Sequence, residues 1–476
     1  MKIDGRTKWS YCIGAAGRDA AYALVSMYLL IYVQYTVKLT TSQFAVISGC
    51  MVACMVWDAI NDPLMGMIIE NTHFKWGKYK PWILMGSILN AIVIICIFTI
   101  RPTGWAFAAF YGLMYLAWGM TYTMNDISYW GLLPALSSDA RTRDTLVTLM
   151  SVFICIGQFS VAGIVPTIVA GNAVQTYRIV ALVVALCFIA FQALTAFGVR
   201  ERPRVDDSDK VTLKKMFRIF LRNDQLMVSG TAFFFYNIGQ NLLLLFGVNF
   251  FYVEYGYSKG GSLVFWYTVM YGLGTLVSQA LFSTMTKFME KKNLLRISTI
   301  LLIVSYACFF GYGYFLPRNV ILLNVIGFLI FFFQGIDNLI LLVYVNNTIE
   351  YDEYRFHERH DSIISAVRSF AVKLAGGVDQ GASTLILILS GIYVISQKIS
   401  GMEIEVNKGS MTKEEVLASA DSALGTVQSW QHLALRAGMV LVPVCTILIA
   451  FFLVMKKYKL DEKEYDRIVR EIEKTE

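Results

Sequence analysis

Apolar runs of roughly 20 residues recur along the chain, and short segments that carry most of the charge separate them. A helix rises about 1.5 Å per residue, so a run of that length crosses about 30 Å of hydrocarbon. Twelve spans are predicted, near 11–36, 42–69, 82–100, 104–134, 145–170, 178–198, 226–254, 262–286, 295–316, 319–348, 364–397 and 431–455. Several exceed the minimum length, which predicts tilt or extension beyond the bilayer. The longest charged stretch among them, VRERPRVDDSDKVTLKKMFRIFLRNDQ at 199–225, falls between the sixth and seventh spans.

The predicted fold class is therefore all-α, a polytopic membrane protein of twelve transmembrane helices. Its chain divides into a six-helix half at 1–198, a central loop at 199–225, a second six-helix half at 226–456 and a tail at 457–476. Two such halves around a midplane site are the outline of a major facilitator-type transporter. Within the central loop, MFRIFLRN predicts a short amphipathic helix on the membrane surface. The stretch 398–430 reads as a long, polar loop of mixed charge, and the tail reads as a solvated helix.

Composition agrees with the pattern: 56% of residues are hydrophobic and 16% charged, where soluble domains carry about a quarter charged. Every second loop is basic, beginning with Lys2, Arg6 and Lys8 and ending with Lys456, Lys457 and Lys459, while the intervening loops mostly hold one positive charge each. That asymmetry predicts a multi-pass protein of the cell (inner) membrane with both termini cytoplasmic. The net charge of +7 is then a topology signal, and its dispersal over short loops argues against a nucleic-acid partner. Arg18 and Asp19 inside the first apolar run argue against a cleavable signal peptide. All eight cysteines fall in apolar spans, which disfavours a disulfide framework. The four histidines lie in loops or at span ends, and no nucleophile-and-base constellation appears, so an enzyme is not expected.

Ionisable side chains inside spans cost about 2.5–3.5 kcal/mol each. Here they are Arg18, Asp19, Asp58, Asp62, Asp126, Asp337, Lys373 and Asp379. Asp58 and Asp62 are four apart in WDAINDP, so they share a helix face one turn apart. Two such carboxylates repel unless a cation joins them. Asn61 adds an amide oxygen near that face and Thr123 a hydroxyl from the fourth span. Oxygen donors of this kind suit a hard cation, Na⁺ or Li⁺, or a shared proton in a dry cavity. A charge-paired core with Lys373 or Arg18 is the competing reading. Asp126 and Trp130 are also four apart, placing a carboxylate for sugar hydroxyls beside an aromatic face for a pyranose; an interface or core aromatic is the competing reading of Trp130. Asp337 in GIDN is expected to cap or kink the tenth span, and Asp379 in GGVDQG to line a close packing or cavity wall.

The stretch WDAINDPLMGMIIENTHFKWGKYKPW resembles the glycoside–pentoside–hexuronide:cation symporters, through the pattern D-x-x-N-D-P-x-x-G followed by W-G-K-x-K-P-W. GRDAAYALVSMYLLIYVQY, TYTMNDISYWGLLPALSSDARTRD and SAVRSFAVKLAGG add to it. The resemblance implies cation-coupled (Na⁺ or H⁺) import of a sugar or glycoside by alternating access, with the bilayer and a small sugar as the partners and no cofactor beyond the coupling ion. It implies a cation site at Asp58, Asn61, Asp62 and Thr123, and glycoside-binding positions at Asp19, Asp126 and Trp130. Arg18 stands where the family pattern has a Lys, and Lys373 matches a lysine between the two sites. Two departures bear on the substrate. Ser151 (Met150 if slipped by one) replaces a sugar-contacting Arg of the fifth span, and Arg368 replaces a Gln shortly before the lysine. An anionic glycoside such as a hexuronide, held by Arg18 or Arg368, is one expectation; an Arg368 that snorkels to the cytoplasm is the other. Two rival functions are a same-fold transporter of a non-sugar amphipathic solute and a transport-inactive sugar sensor.

Overall fold

The computed structural model describes residues 4–72, 74–137, 139–201 and 213–474. In hydrocarbon a backbone must satisfy its own hydrogen bonds, and helices do so within one segment. Among the described residues there is accordingly no β-strand, and twelve helices have 20 residues or more. These are α1 (Gly5–Thr36), α2 (Thr41–Asn71), α3 (Lys80–Thr99), α4 (Gly104–Leu136), α5 (Ala140–Val169), α6 (Ala173–Gly198), α8 (Asp224–Tyr255), α9 (Tyr257–Phe288), α10 (Lys291–Gly311), α11 (Val320–Asn346), α13 (Asp361–Leu389) and α16 (Ser429–Lys457). Five shorter helices complete the chain: α7 (Leu213–Arg222), α12 (Thr348–Phe356), α14 (Ile392–Asn407), α15 (Lys413–Leu424) and α17 (Glu462–Glu473). Nine segments of the described residues are long and apolar enough to span a membrane by that test alone, and α1, α4 and α9 are not among them. Two of those three, α1 and α4, carry Arg18, Asp19 and Asp126.

Helix starts follow capping chemistry. Asp4 accepts from the Thr7 amide at α1, Thr40 and Gln43 form a reciprocal capping box at α2, and Asp139 caps α5 through the Thr142 amide. The eleventh span departs from expectation. Helix α13 stops at Leu389 rather than near 397, because Gly391 adopts φ +71°, a conformation costly for other residues. The expected loop at 398–430 is largely helical: α14 and α15 occupy it, and Thr412 with Glu415 form a capping box at the start of α15. The tenth span also differs in its partner. Asp337 neither caps nor kinks α11; it lies fully buried inside the helix and accepts from Ser298 and from Thr299 (2.9 Å) of α10. The amphipathic segment of the central loop and the tail helix are present as α7 and α17.

The chain forms two compact units. The first comprises 1–206, 247–265 and 384–432; the second comprises 207–246, 266–383 and 433–476. They are drawn by contacts, so they differ from the division along the chain at 199–225. In the first unit, α1 packs against both α5 and α6. Small residues permit the approach: a Cβ on Gly14 would lie 1.9 Å from Thr195 Oγ1, and one on Gly157 would lie 2.1 Å from the Ala16 carbonyl oxygen. Helix α4 packs on α2 and α3. In the second unit, α10 packs on α11, and α12 packs on α17.

A buried carboxylate fastens α14 to the rest of the first unit. Glu403 is fully buried and accepts from the Gly171 amide (2.8 Å), the Ala173 amide (2.6 Å) and the Tyr257 hydroxyl (2.8 Å). It thereby ties α14 to the α5–α6 turn and to the start of α9. Hydrogen bonds to a charged acceptor contribute about 1.5–3 kcal/mol each, and losing the acceptor strands buried donors. Glu403→Ala is expected to destabilise the protein by about 3 kcal/mol or more in thermal unfolding of nanodisc-embedded protein. Glu403→Gln, which keeps one acceptor oxygen, should lose less.

Candidate functional site

Two groups of polar side chains meet inside the first unit, and α4 contributes to both. The first joins α2 to α4. Thr123 Oγ1 donates to Asp62 Oδ1 at 3.2 Å, and Thr123 is almost fully buried. One turn earlier on α2, Asp58 faces Gly119: a Cβ there would come within 2.5 Å of Asp58 Oδ1. The glycine therefore lets α4 approach the carboxylate. Asn61 is buried, and its Nδ2 has no hydrogen-bond partner among the described residues. A half-turn of that amide presents Oδ1 at the same place. The donor set is then two carboxylates, an amide oxygen and a hydroxyl, which suits a hard cation.

The second group is built around Arg18 of α1. The guanidinium is 2% exposed. Its Nη2 and Nε lie 2.8 and 3.0 Å from Asp19 Oδ2, and its Nη1 lies 3.1 Å from Asp126 Oδ1. The Nη1 approach is an ion pair without hydrogen-bond alignment, and that nitrogen is itself buried. The cation also lies over the Tyr129 ring at 4.8 Å and the Trp130 ring at 5.4 Å. One positive and two negative charges leave the group net negative by one.

Local packing sets these positions. The GAAG run at 14–17 places Arg18 deep in the unit by seating α1 between α5 and α6. Asn125 orients Asp126: its amide donates to the Ile83 carbonyl (2.8 Å) and to Gln192 Oε1 (3.1 Å), and Gln192 donates in turn to the Gly14 carbonyl (2.8 Å). With Asn125 held against α3 and α6, the next side chain is turned about 100° away around α4. There Asp126 is 34% exposed and Trp130 is 41% exposed. Both can reach a solute.

Aromatic rings run along α4. Tyr111 and Tyr115 stack at 6.1 Å, Tyr115 and Trp118 at 5.3 Å, and Trp118 and Tyr122 at 5.7 Å. Tyr22 of α1 lies on Trp118 (6.0 Å) and Tyr122 (5.2 Å). Tyr22 also lies within electrostatic range of Asp58, Asp19 and Asp126, carboxylates of both polar groups. Neither Tyr22 nor the stripe figured among the expected site residues, although the spacing 111, 115, 118, 122 is a helical face.

The remaining candidates lie in the second unit. Lys373 and Arg368 are both half-buried on α13. Asp379 is buried on the same helix, with Asn241 of α8 as a polar neighbour. Ser151, on α5, is exposed and donates to its own helix at the Val147 carbonyl. Arg18, expected with Arg368 as one holder of an anionic glycoside, is paired with Asp19 and Asp126.

Removing one member of a buried charge group strands the others, at about 3–5 kcal/mol. Arg18→Gln should therefore destabilise the protein by about that much in thermal unfolding. Adding Asp126→Asn should recover at least about 1 kcal/mol of the loss, as coupled neighbours do.

The chain matches the family model described as "MFS/sugar transport protein" over residues 10–462. It is 26% identical to a lactose permease of Lactobacillus delbrueckii subsp. bulgaricus, covering 99% of this chain and 73% of that protein. It is 24% identical to a raffinose carrier protein of Pediococcus pentosaceus (100% and 73% covered) and 23% identical to a glucuronide carrier protein homolog of Escherichia coli K12 (99% and 96%). Among solved structures it is similar to a D-xylose-proton symporter, with TM-score 0.62, 13% identity and coverage of 87% and 99%. It is also similar to an inward-facing bacterial homolog of the lysosomal transporter Spinster, with TM-score 0.63, 12% identity and coverage of 94% and 96%. These likenesses show an all-α polytopic fold of the major facilitator type. The chain belongs to the MFS/sugar transport protein family, a family of membrane transporters and not of enzymes.

Proposed function

We propose that this protein is a symporter that couples entry of a neutral glycoside to a cation, Na⁺ in the first instance, with Li⁺ or H⁺ as the other ions the site chemistry admits. One observation carries the choice of a neutral sugar. The Arg18 guanidinium is spent on Asp19 and Asp126, leaving a site of net negative charge with exposed Asp126 and Trp130 at its edge. A carboxylate accepts from sugar hydroxyls, and the Trp130 face covers an apolar ring face. A uronate would meet net repulsion from this group. The relatives named for lactose and raffinose support a glycoside; the one named for glucuronide keeps the anionic alternative, with Arg368 as its counter-charge, as the second reading.

The cation is cargo in this account. Asp58 and Asp62 would bind it, with Asn61 and Thr123 completing the oxygens. Binding removes carboxylate repulsion one turn from the α4 segment that presents Asp126. Tyr22, which interacts with carboxylates of both groups, gives the coupling a path. The cation must then raise sugar affinity, and sugar must raise cation affinity by the same factor. Import would proceed by alternating access, with both termini in the cytoplasm of a cell whose inner membrane holds the protein.

Asp58→Asn and Asp62→Asn test the assignment. Each should abolish the Na⁺ stimulation of glycoside binding to the purified protein, a loss of at least about tenfold if the coupling has the usual size. Stimulation that persists in both variants would contradict it. A panel of galactosides, glucosides, xylosides and uronides should show binding of neutral sugars and none of uronides; tight uronide binding would favour the second reading.

A further inference from the structure

The sugar and cation groups leave one cavity of the second unit unexplained. It has a volume of about 220 Å³ and lies between α7, α8 and α13. Its lining is almost wholly apolar, with Met216, Phe217 and Phe220 from α7, Phe234 from α8, and Phe370 and Leu374 from α13.

Helix α7 itself divides into three arcs at 100° per residue. Met216 and Ile219 are buried, 4% and 3% exposed, and hold the helix to the unit. Lys214, Arg218 and Arg222 recur every fourth residue and form a basic arc. Phe217 and Leu221 fill the arc between the basic residues and the cavity, yet they are 47% and 68% exposed. Phe217 also meets Phe370 edge-on at 5.7 Å, at the rim of the cavity. Arg222 is committed to Glu358 at 2.7 Å and to the Phe356 ring. Lys214 and Arg218 are exposed and make no ion pair among the described residues.

An exposed apolar stripe bordered by basic residues is how a helix lies at a membrane interface. Basic side chains near that interface attract anionic headgroups. Here the stripe adjoins a cavity of apolar walls. We propose that α7 and the cavity behind it form a binding site for an anionic phospholipid, with an acyl chain between α7, α8 and α13 and the headgroup phosphate against Lys214 and Arg218. The occupant is a lipid rather than a water-soluble anion because the walls that would hold it are aromatic and aliphatic. Its effect would reach the sugar pathway through α13. Val367, Phe370, Ala371 and Leu374 line the cavity from one face of that helix, and Arg368 and Lys373 project from other faces of the same turns.

The test is native mass spectrometry of the full chain released from bilayers of phosphatidylcholine with one quarter phosphatidylglycerol. Wild type should retain phosphatidylglycerol in at least about threefold excess over its bilayer share. Lys214→Gln with Arg218→Gln should remove that excess while leaving thermal unfolding unchanged. The exchange Lys214→Arg with Arg218→Lys, which keeps both charges, should restore it. Ala371→Phe, which fills the cavity from α13, should lower the number of retained lipids without touching the charges. Retention in proportion to bilayer composition in wild type would overturn the proposal, as would an undiminished excess in the doubly neutralised variant. Retention of inorganic phosphate without lipid would overturn it too, by showing an anion site only.

Discussion

A charge placed in hydrocarbon must bring its own compensation, and Arg18 shows how this protein meets that demand. Its guanidinium is sealed between α1 and α4, with two carboxylates and two aromatic faces around it. The group holds together only because α1 can approach its neighbours closely, which Gly14 and Gly157 allow. Asn125 and Gln192 then fix the rotation of α4 so that Asp126 faces Arg18. Breaking any of these contacts would expose the others to the same electrostatic cost. The helices that carry the charges are thus the ones whose packing is most constrained.

The same constraint explains why one face of α4 serves two purposes. Gly119 and Thr123 meet Asp58 and Asp62 of α2, while Asp126 meets Arg18 of α1. In the proposed symport, a cation drawing the carboxylates of α2 together would act beside a helix whose next turn presents Asp126. Coupling of this kind needs no long path. It needs a helix shared by both groups, and the stacked rings from Tyr111 to Tyr122 run along that helix, with Tyr22 of α1 laid on Trp118 and Tyr122.

Much of the fold is legible in the sequence because a bilayer enforces a single length scale. Each of the twelve expected spans contains the greater part of one long helix. Three features were hidden for physical reasons. The break after Leu389 depends on one glycine in a left-handed conformation, inside a stretch whose composition continues to read as apolar. Helices α14 and α15 bury Ile392, Ile395 and Ile399, and Val416, Ala420 and Leu424, at helical spacing, but the charged residues among them read as a loop. Asp337 read as a cap because aspartate often caps helices, but its partners lie on α10, far along the chain. For the candidate site, the four-residue spacings of Asp58 with Asp62 and of Asp126 with Trp130 predicted shared faces. The compensation of Arg18 by Asp126 joins residues more than a hundred positions apart, and only packing could show it.

The central claim is that two adjacent groups in one unit bind a cation and a sugar interdependently. Titration calorimetry can measure Na⁺ affinity with and without saturating glycoside, and glycoside affinity with and without saturating Na⁺. The account predicts that the two ratios are equal and exceed one, on the order of 5–150-fold. A ratio of one on both sides, with each ligand still binding, would contradict it.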